Sequence, residues 1–464
     1  MALLHEDRLF PAEEKTQAIA RRLYAGIKNL PIVSPHGHTQ AGWFARNEAF
    51  PDPVTFFVQP DHYVFRMLYS QGVTLEELEI GNHPVRNPRA VWHIFASHYH
   101  LFRGTPTRLW LDYAFETLFG LTERLSAATA DTYFDTIEAK LATAEFRPRM
   151  LFERFGIEVL ATTDSPVDGL EDHAVIRASG WKGRIVPTFR PDPVVDPEFA
   201  GFRVGIEALG KLTGEDTATW SGYLRALEAR RRFFKTLGAT ATDHGHPTAQ
   251  TADLDEAEAA WLFDAVLGGK AEAAQKELFR AQMLTEMARM SLEDGLVMQI
   301  HPGSVRNHNA QIFAKYGRDM GADIPQATDY VHALRPLLDR FGNEARLTLI
   351  LFTLDETAFS RELAPLAGHY PCLKLGPPWW FFDSPEGMRR FRELVTETAG
   401  FYNTAGFNDD TRAFLSIPAR HDVARRMDAS FLARLVAEHR IEEDEAVELA
   451  RELAVGLVKK AYKL

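Results

Sequence analysis

Eight short apolar, β-branched runs, spaced by longer charged stretches, constrain this chain more than any other feature. They lie at 30–34, 157–162, 184–188, 239–242, 295–300, 347–352, 372–375 and 401–407. Runs of this length bounded by turn residues read as buried strands. Segments 206–212, 254–267, 271–290, 326–341 and 422–464 carry the Ala/Leu/Arg/Glu pattern of helices. Strand–helix alternation of this kind builds a parallel sheet. The predicted fold class is α/β: a distorted (β/α)8 TIM-type barrel with helical insertions. An open doubly wound sheet is the alternative that the pattern alone leaves. More than 100 residues separate the first two runs, far beyond an ordinary connection. Segment 44–155 is therefore expected to be a largely helical insertion over the barrel mouth, within a single domain spanning 1–464.

What favours a closed barrel is the set of residues just beyond the runs. His36 and His38, Asp164, Arg190, Asp243, His301, Trp379 and Trp380, and Asp410 follow seven of them, and the sixth is followed less clearly by Thr353 and Asp355. In a barrel the C-terminal strand ends converge on one mouth, where such enzymes keep their chemistry.

Composition excludes several classes. With 45% hydrophobic and 25% charged residues, a large core is available and disorder is not expected. A formal net charge of −12 disfavours nucleic acid and anionic membrane surfaces as partners. An anionic substrate would need local arginines to offset that field. The single cysteine, Cys372, excludes a disulfide scaffold and a cysteine-rich zinc site. Residues 1–10 lack the apolar core of a signal peptide, and no uncharged run spans a bilayer, so a cytoplasmic location is expected.

Three His-x-His pairs differ in context. In Pro35-His36-Gly37-His38 the pair leaves a strand, where residues two apart face the same side, so both imidazoles can approach one divalent zinc, manganese or iron ion. His98 and His100 sit in a helical stretch and are expected on its surface or in packing. His244 and His246 follow the fourth run next to Asp243 and could reach the mouth, although His246 reads more readily as a solvated loop residue. Asp410, in Asn408-Asp409-Asp410-Thr411-Arg412, could bind a metal or act as a base, and an N-cap role for either aspartate is the plain alternative.

Other residues suit a sugar acid. Arg190 precedes Pro191, and its planar fork matches a carboxylate, unless it pairs structurally with Asp192 or Asp164. In Asp61-His62-Tyr63-Val64-Phe65-Arg66, helical spacing puts an imidazole, a phenol and the Arg66 cation on one face. Trp379 and Trp380 could shield the site or stack on a sugar, although such residues are more often core aromatics. No P-loop, G-x-G-x-x-G after a strand, G-x-S-x-G or H-E-x-x-H occurs.

Taken in order along the chain, these motifs resemble the uronate isomerase (glucuronate isomerase) family, a divergent branch of the amidohydrolase superfamily. The resemblance rests on residues 35–38, Asp61-His62-Tyr63, Thr162-Thr163-Asp164-Ser165-Pro166, Arg190-Pro191-Asp192, Thr242-Asp243-His244-Gly245, His301 with Val305-Arg306-Asn307, Trp379-Trp380-Phe381, and Asp410-Thr411-Arg412 with Phe414-Leu415-Ser416. It implies interconversion of D-glucuronate with D-fructuronate and of D-galacturonate with D-tagaturonate. It also implies a metal, usually zinc, at His36, His38 and Asp410, and substrate contacts at His62, Tyr63, Arg190, His301, Trp380 and Arg412. Family habit further suggests a homo-oligomer. No lysine follows the fourth run, where many hydrolases of the superfamily carry a metal-bridging one, which argues for a single metal. In the expected mechanism Arg190, with His62 or Arg66, holds the substrate carboxylate. Asp410 and Tyr63 move protons through an enediol, and Arg412 orients Asp410. Hydride transfer is the rival route, and a lactonase-like hydrolase or a silent sugar-acid binder are the rival functions.

Overall fold

A computed structural model describes residues 2–81 and 84–464. Residues 1, 82 and 83, the last two within the expected insertion, lie outside the described residues. Nine strands are described: β1 (Ile32–Ser34), β2 (Ile157–Ala161), β3 (Arg184–Val186), β4 (Ala241–His244), β5 (Val297–Ile300), β6 (Ser304–Val305), β7 (Ile324–Pro325), β8 (Leu349–Leu351) and β9 (Leu373–Leu375). β6 and β7 form a small antiparallel hairpin, and the other seven are parallel. Every residue of β1, β4, β5 and β8 is buried, as strands covered on both faces must be.

Hydrogen bonds join β1 to β2 to β3, and β4 to β5 to β8 to β9. Phe189, just beyond β3, links the two groups by bridging Asp164 on one side and Thr242 on the other. At the far edge Thr404 bridges Leu375. The eighth run, expected as a strand over 401–407, therefore contributes a single bridge. The cause is local. The Thr404 N–H and hydroxyl both turn back onto the Phe401 carbonyl, at 3.1 and 2.7 Å, and Gly406 adopts φ 76°, so the chain bends where a strand would run straight. His38 N–H then donates to the Thr411 carbonyl at 3.1 Å, tying this segment to the turn after β1. The result is a (β/α)8 barrel distorted at its eighth position.

The helix expected over 326–341 begins only at Arg335 (Arg335–Phe341). Upstream amides are spent elsewhere: Thr328 N–H donates to Asp355, and Tyr330 N–H to Glu362. Between β1 and β2 the described residues form seven α-helices, from Ala41–Arg46 to Pro148–Arg154. Their apolar faces share one cluster with Ile32 and Ile157 of the barrel. Helix His62–Ser70 belongs to this group. Asp61 caps it by accepting from the Tyr63 N–H at 2.9 Å, which sets the direction in which His62 and Tyr63 leave the backbone. No helix among the described residues is long and apolar enough to cross a membrane.

The barrel interior is filled by Val33, Val159, Val186, Ala241, Val297 and Ile350 together with Val458, Ala461 and Tyr462 of the helix Leu457–Tyr462. Lys459 pairs with Glu158 at 2.7 Å, and Lys463 donates to the Gly295 carbonyl at 2.9 Å, so this helix plugs the end where the strands begin. Its Tyr462 hydroxyl donates to Gln299 Oε1 at 3.0 Å and accepts from Asn408 Nδ2 at 3.3 Å. Removing the hydroxyl takes this partner from two buried amide atoms, Gln299 Oε1 and Asn408 Nδ2. Tyr462→Phe is expected to cost about 1–3 kcal/mol, read as a lower urea midpoint at an unchanged m value. An unshifted midpoint would show that the network does not support the plug.

Candidate active site

The strand ends open onto one cavity of about 370 Å³, within the range of small-ligand sites. It is lined by His36, His38, His62, Tyr63, Arg190, His301, Trp379, Trp380, Asp410 and Arg412, contributed by six separate stretches of chain. Arg66 does not join them. Its guanidinium lies 4.7 Å from the centre of the Phe381 ring, one turn along the helix from His62, where an aromatic face takes the cation.

Asp410 is the centre of the donor group. Its Oδ1 lies 3.3 Å from His36 Nε2 and 3.1 Å from His38 Nε2. His36, His301 and Asp410 also offer donor atoms all within 4.8 Å of one another, so His301, expected as a substrate contact, stands beside the metal candidates. Its ring stacks between Phe352 at 3.9 Å and His36 at 4.8 Å, and its Nδ1 lies 2.7 Å from Asp243 Oδ1. Two ligands each about 2.1 Å from a tetrahedral ion lie about 3.4 Å apart, so the His36–Asp410 and His38–Asp410 spacings fit a shared divalent ion. Two imidazoles and one carboxylate are also an ordinary donor set for such an ion. Neither aspartate caps a helix. Asp409 Oδ2 faces His421 Nε2 at 3.1 Å, and the following helix, Ile417–Ala437, has Ser416 at its cap position.

Electrostatics follow from burial and these neighbours. Burial pushes the Asp410 carboxyl up, but His36 and His38 outweigh it and hold the group well below the usual carboxylate range. Burial pushes His38 down to about 4 and His62 down to about 3, so both rings are neutral near pH 7. Asp164, on the same wall, is pushed up to about 7 by burial.

Arg190 is held on two sides. Its Nε donates to Asp192 Oδ2 at 2.8 Å, and its Nη1 lies 3.2 Å from Asp243 Oδ2. The structural pairing with Asp192 is therefore present, and Asp243 adds a second. The remaining Nη2 faces Gly245. A Cβ there would meet Arg190 Nη2 at 2.5 Å and Arg306 Nη2 at 3.3 Å, so the missing side chain is what lets two guanidinium ends converge.

Tyr63 is more constrained than its spacing suggested. Its hydroxyl donates to Asp383 and accepts from the Phe381 N–H at 2.7 Å. Burial and Asp383 together push it well above the usual phenol range. Trp380 packs edge-on against Tyr63 at 4.6 Å and His62 at 5.8 Å, and Trp379 against His301 at 4.8 Å. Arg412 does not hold Asp410. Its Nη2 lies 3.1 Å from Asp319 Oδ2, because Asp410 Oδ1 already faces two imidazoles and the Thr411 carbonyl is bonded to His38.

The other pairs resolve differently. His246, read as solvated, is 3% exposed and lines the cavity, while His244 is fully buried against the Thr242 hydroxyl at 3.0 Å. The turn after β4 folds inward beneath Arg190, which a polar loop sequence does not reveal. His98 and His100 bond to the local Ile94 and Ser97 carbonyls, away from the cavity. Sequence reasoning missed Arg306, Arg318, Asp319, Asp323 and Arg420 as lining residues. Arg306 lay in a quoted motif without a role; the others carry no local signature.

Comparison with known proteins agrees with this geometry. A family model described as glucuronate isomerase matches residues 3–461. The uronate isomerase of Rhizorhabdus wittichii is 66% identical over 99% of this chain and 98% of its own length. The crystal structure of glucuronate isomerase from Caulobacter crescentus superposes with a TM-score of 0.98 at 60% identity, covering 99% of this chain and 97% of that one. That of uronate isomerase from Thermotoga maritima gives 0.93 at 30% identity, covering 99% of each. With strand order, cavity and sequence similarity in agreement over nearly its whole length, the chain belongs to the glucuronate isomerase family.

Proposed function

We propose that this protein is a metal-assisted aldose–ketose isomerase of hexuronates, interconverting D-glucuronate with D-fructuronate and D-galacturonate with D-tagaturonate. The observation that carries the reading is one carboxylate, Asp410, flanked by His36 and His38 in a cavity that also holds paired guanidinium ends. Strong similarity to uronate isomerases supports it. The lone buried cysteine, Cys372, accords with a reducing, cytoplasmic setting.

Each residue has a role in this reading. Arg190, with Arg306 beside it over Gly245, takes the substrate carboxylate, and Asp192 and Asp243 keep its fork aimed. Asp410, kept ionised by its neighbours, removes the C2 proton and returns it to C1. Tyr63, its oxygen held in place by Asp383, carries the proton that leaves the C2 hydroxyl to the C1 oxygen, so that the phenol ends as it began. Arg412 supplies positive charge at the cavity wall as the enediol forms, and His62, His301, Trp379 and Trp380 shape the sugar pocket. A divalent ion held by His36, His38 and Asp410, with zinc favoured and manganese or iron as alternatives, would supply Lewis-acid charge beside the sugar oxygens.

A coupled reductase assay on glucuronate and galacturonate, run with and without chelator, tests the activity. Turnover of at least one uronate is expected, and none with either would overturn the reading. Asp410→Asn should lower kcat on the order of 10³-fold with an unchanged circular dichroism spectrum. Near-normal turnover would remove Asp410 from proton transfer. Arg190→Met should raise KM for uronates at least about tenfold and leave KM for neutral aldoses unchanged. Equal effects on both classes would rule out the carboxylate clamp.

A further inference from the structure

The Tyr63 hydroxyl and the Asp410 carboxylate come from distant parts of the chain, yet one buried ion pair reaches towards both. Asp383 accepts the Tyr63 hydroxyl proton on Oδ1 and Arg420 Nη1 on Oδ2, the latter at 2.5 Å. The same Arg420 nitrogen donates to the Asp409 carbonyl at 3.2 Å, and Nε donates to Ser416 Oγ at 3.2 Å. The guanidinium lies 3.6 Å from the centre of the Trp110 ring, and Asp383 and Arg420 are 7% and 3% exposed.

The Asp409 carbonyl belongs to the peptide that leads into Asp410. Asp410 sits at φ 39°, a left-handed conformation that is strained for a non-glycine residue. That conformation is bracketed by two ties: the Asp409 carbonyl, in the peptide before Asp410, to Arg420, and the Thr411 carbonyl, one residue beyond it, to His38 N–H. A buried ion pair is a poor way to gain stability, since an apolar pair of the same volume avoids the desolvation cost. What this pair supplies is geometry.

We propose that Asp383 and Arg420 are positioning residues for the isomerisation, fixing the Tyr63 oxygen and the Asp410 backbone relative to each other. The turnover part of this proposal rests on the isomerase reading above; the metal-affinity part does not. Asparagine at 383 has one carbonyl oxygen where the carboxylate has two acceptors, so it can serve Tyr63 or Arg420 but not both.

Asp383→Asn, Arg420→Met and Arg420→Lys are made singly, and Asp383→Asn also with Tyr63→Phe. Asp383→Asn alone should lower kcat on glucuronate about 100-fold with KM within about threefold, and should add less than about threefold to the loss in Tyr63→Phe. Zinc affinity, read by competition with a fluorescent chelator, should fall about tenfold or more in Arg420→Met, recover in part in Arg420→Lys, and change less than about threefold in Asp383→Asn. Multiplicative kcat losses in the double variant, or wild-type zinc affinity in Arg420→Met, would overturn the proposal. A wild-type protein that turns over neither uronate would remove the isomerase reading alone, and the contrast in zinc affinity would still decide whether Arg420 positions Asp410.

Discussion

One carboxylate oxygen facing two imidazoles organises this protein. Asp410 Oδ1 stands 3.1 and 3.3 Å from His38 and His36, and these residues lie more than 370 positions apart in the sequence. An anion at such a depth is tolerated only with charge or hydrogen-bond donors beside it. That requirement fixes where the segment after Thr404 must run. Here a regular eighth strand gives way to a bend, and the barrel wall closes through the His38 amide and the Thr411 carbonyl. The missing eighth strand and the chemical centre coincide.

A second layer of charge surrounds that centre with alternating sign. Arg190 stands between Asp192 and Asp243, Asp243 also contacts His301, and Arg412 faces Asp319. In a chain of net charge −12 this is how a site for an anion is built: the cations are aimed by carboxylates that consume part of their charge, leaving selected edges to the ligand. The arrangement makes the cavity specific in geometry more than in total charge.

The sequence made the barrel and most of its mouth legible because two local signals agree: apolar runs mark strands, and polar residues at their ends mark the mouth. His36, His38, Arg190, His301 and Asp410 all follow such runs. What stayed hidden depends on contacts between distant segments. Helical spacing suggested one face for His62, Tyr63 and Arg66; the first two line the cavity, but spacing could not show Phe381 drawing Arg66 aside. Arg412 has no local hint of Asp319, 93 positions away. The same holds for Arg420 and Asp383, which lie in no motif. His246 was misread because a polar turn looks solvated until the cavity above it is known.

The plug at the bottom of the barrel has a consequence for how the chain is made. Val458, Ala461 and Tyr462 fill space that Val33 and Val159 help to enclose, so the inner surface of the first strands waits for residues synthesised some 300 to 430 positions later. Until that helix docks, a nascent chain carries an apolar hollow open to water, which is the kind of surface chaperones hold and aggregates recruit. Barrel closure is thus timed by translation: the ribosome must pass Tyr462 before the interior can dry.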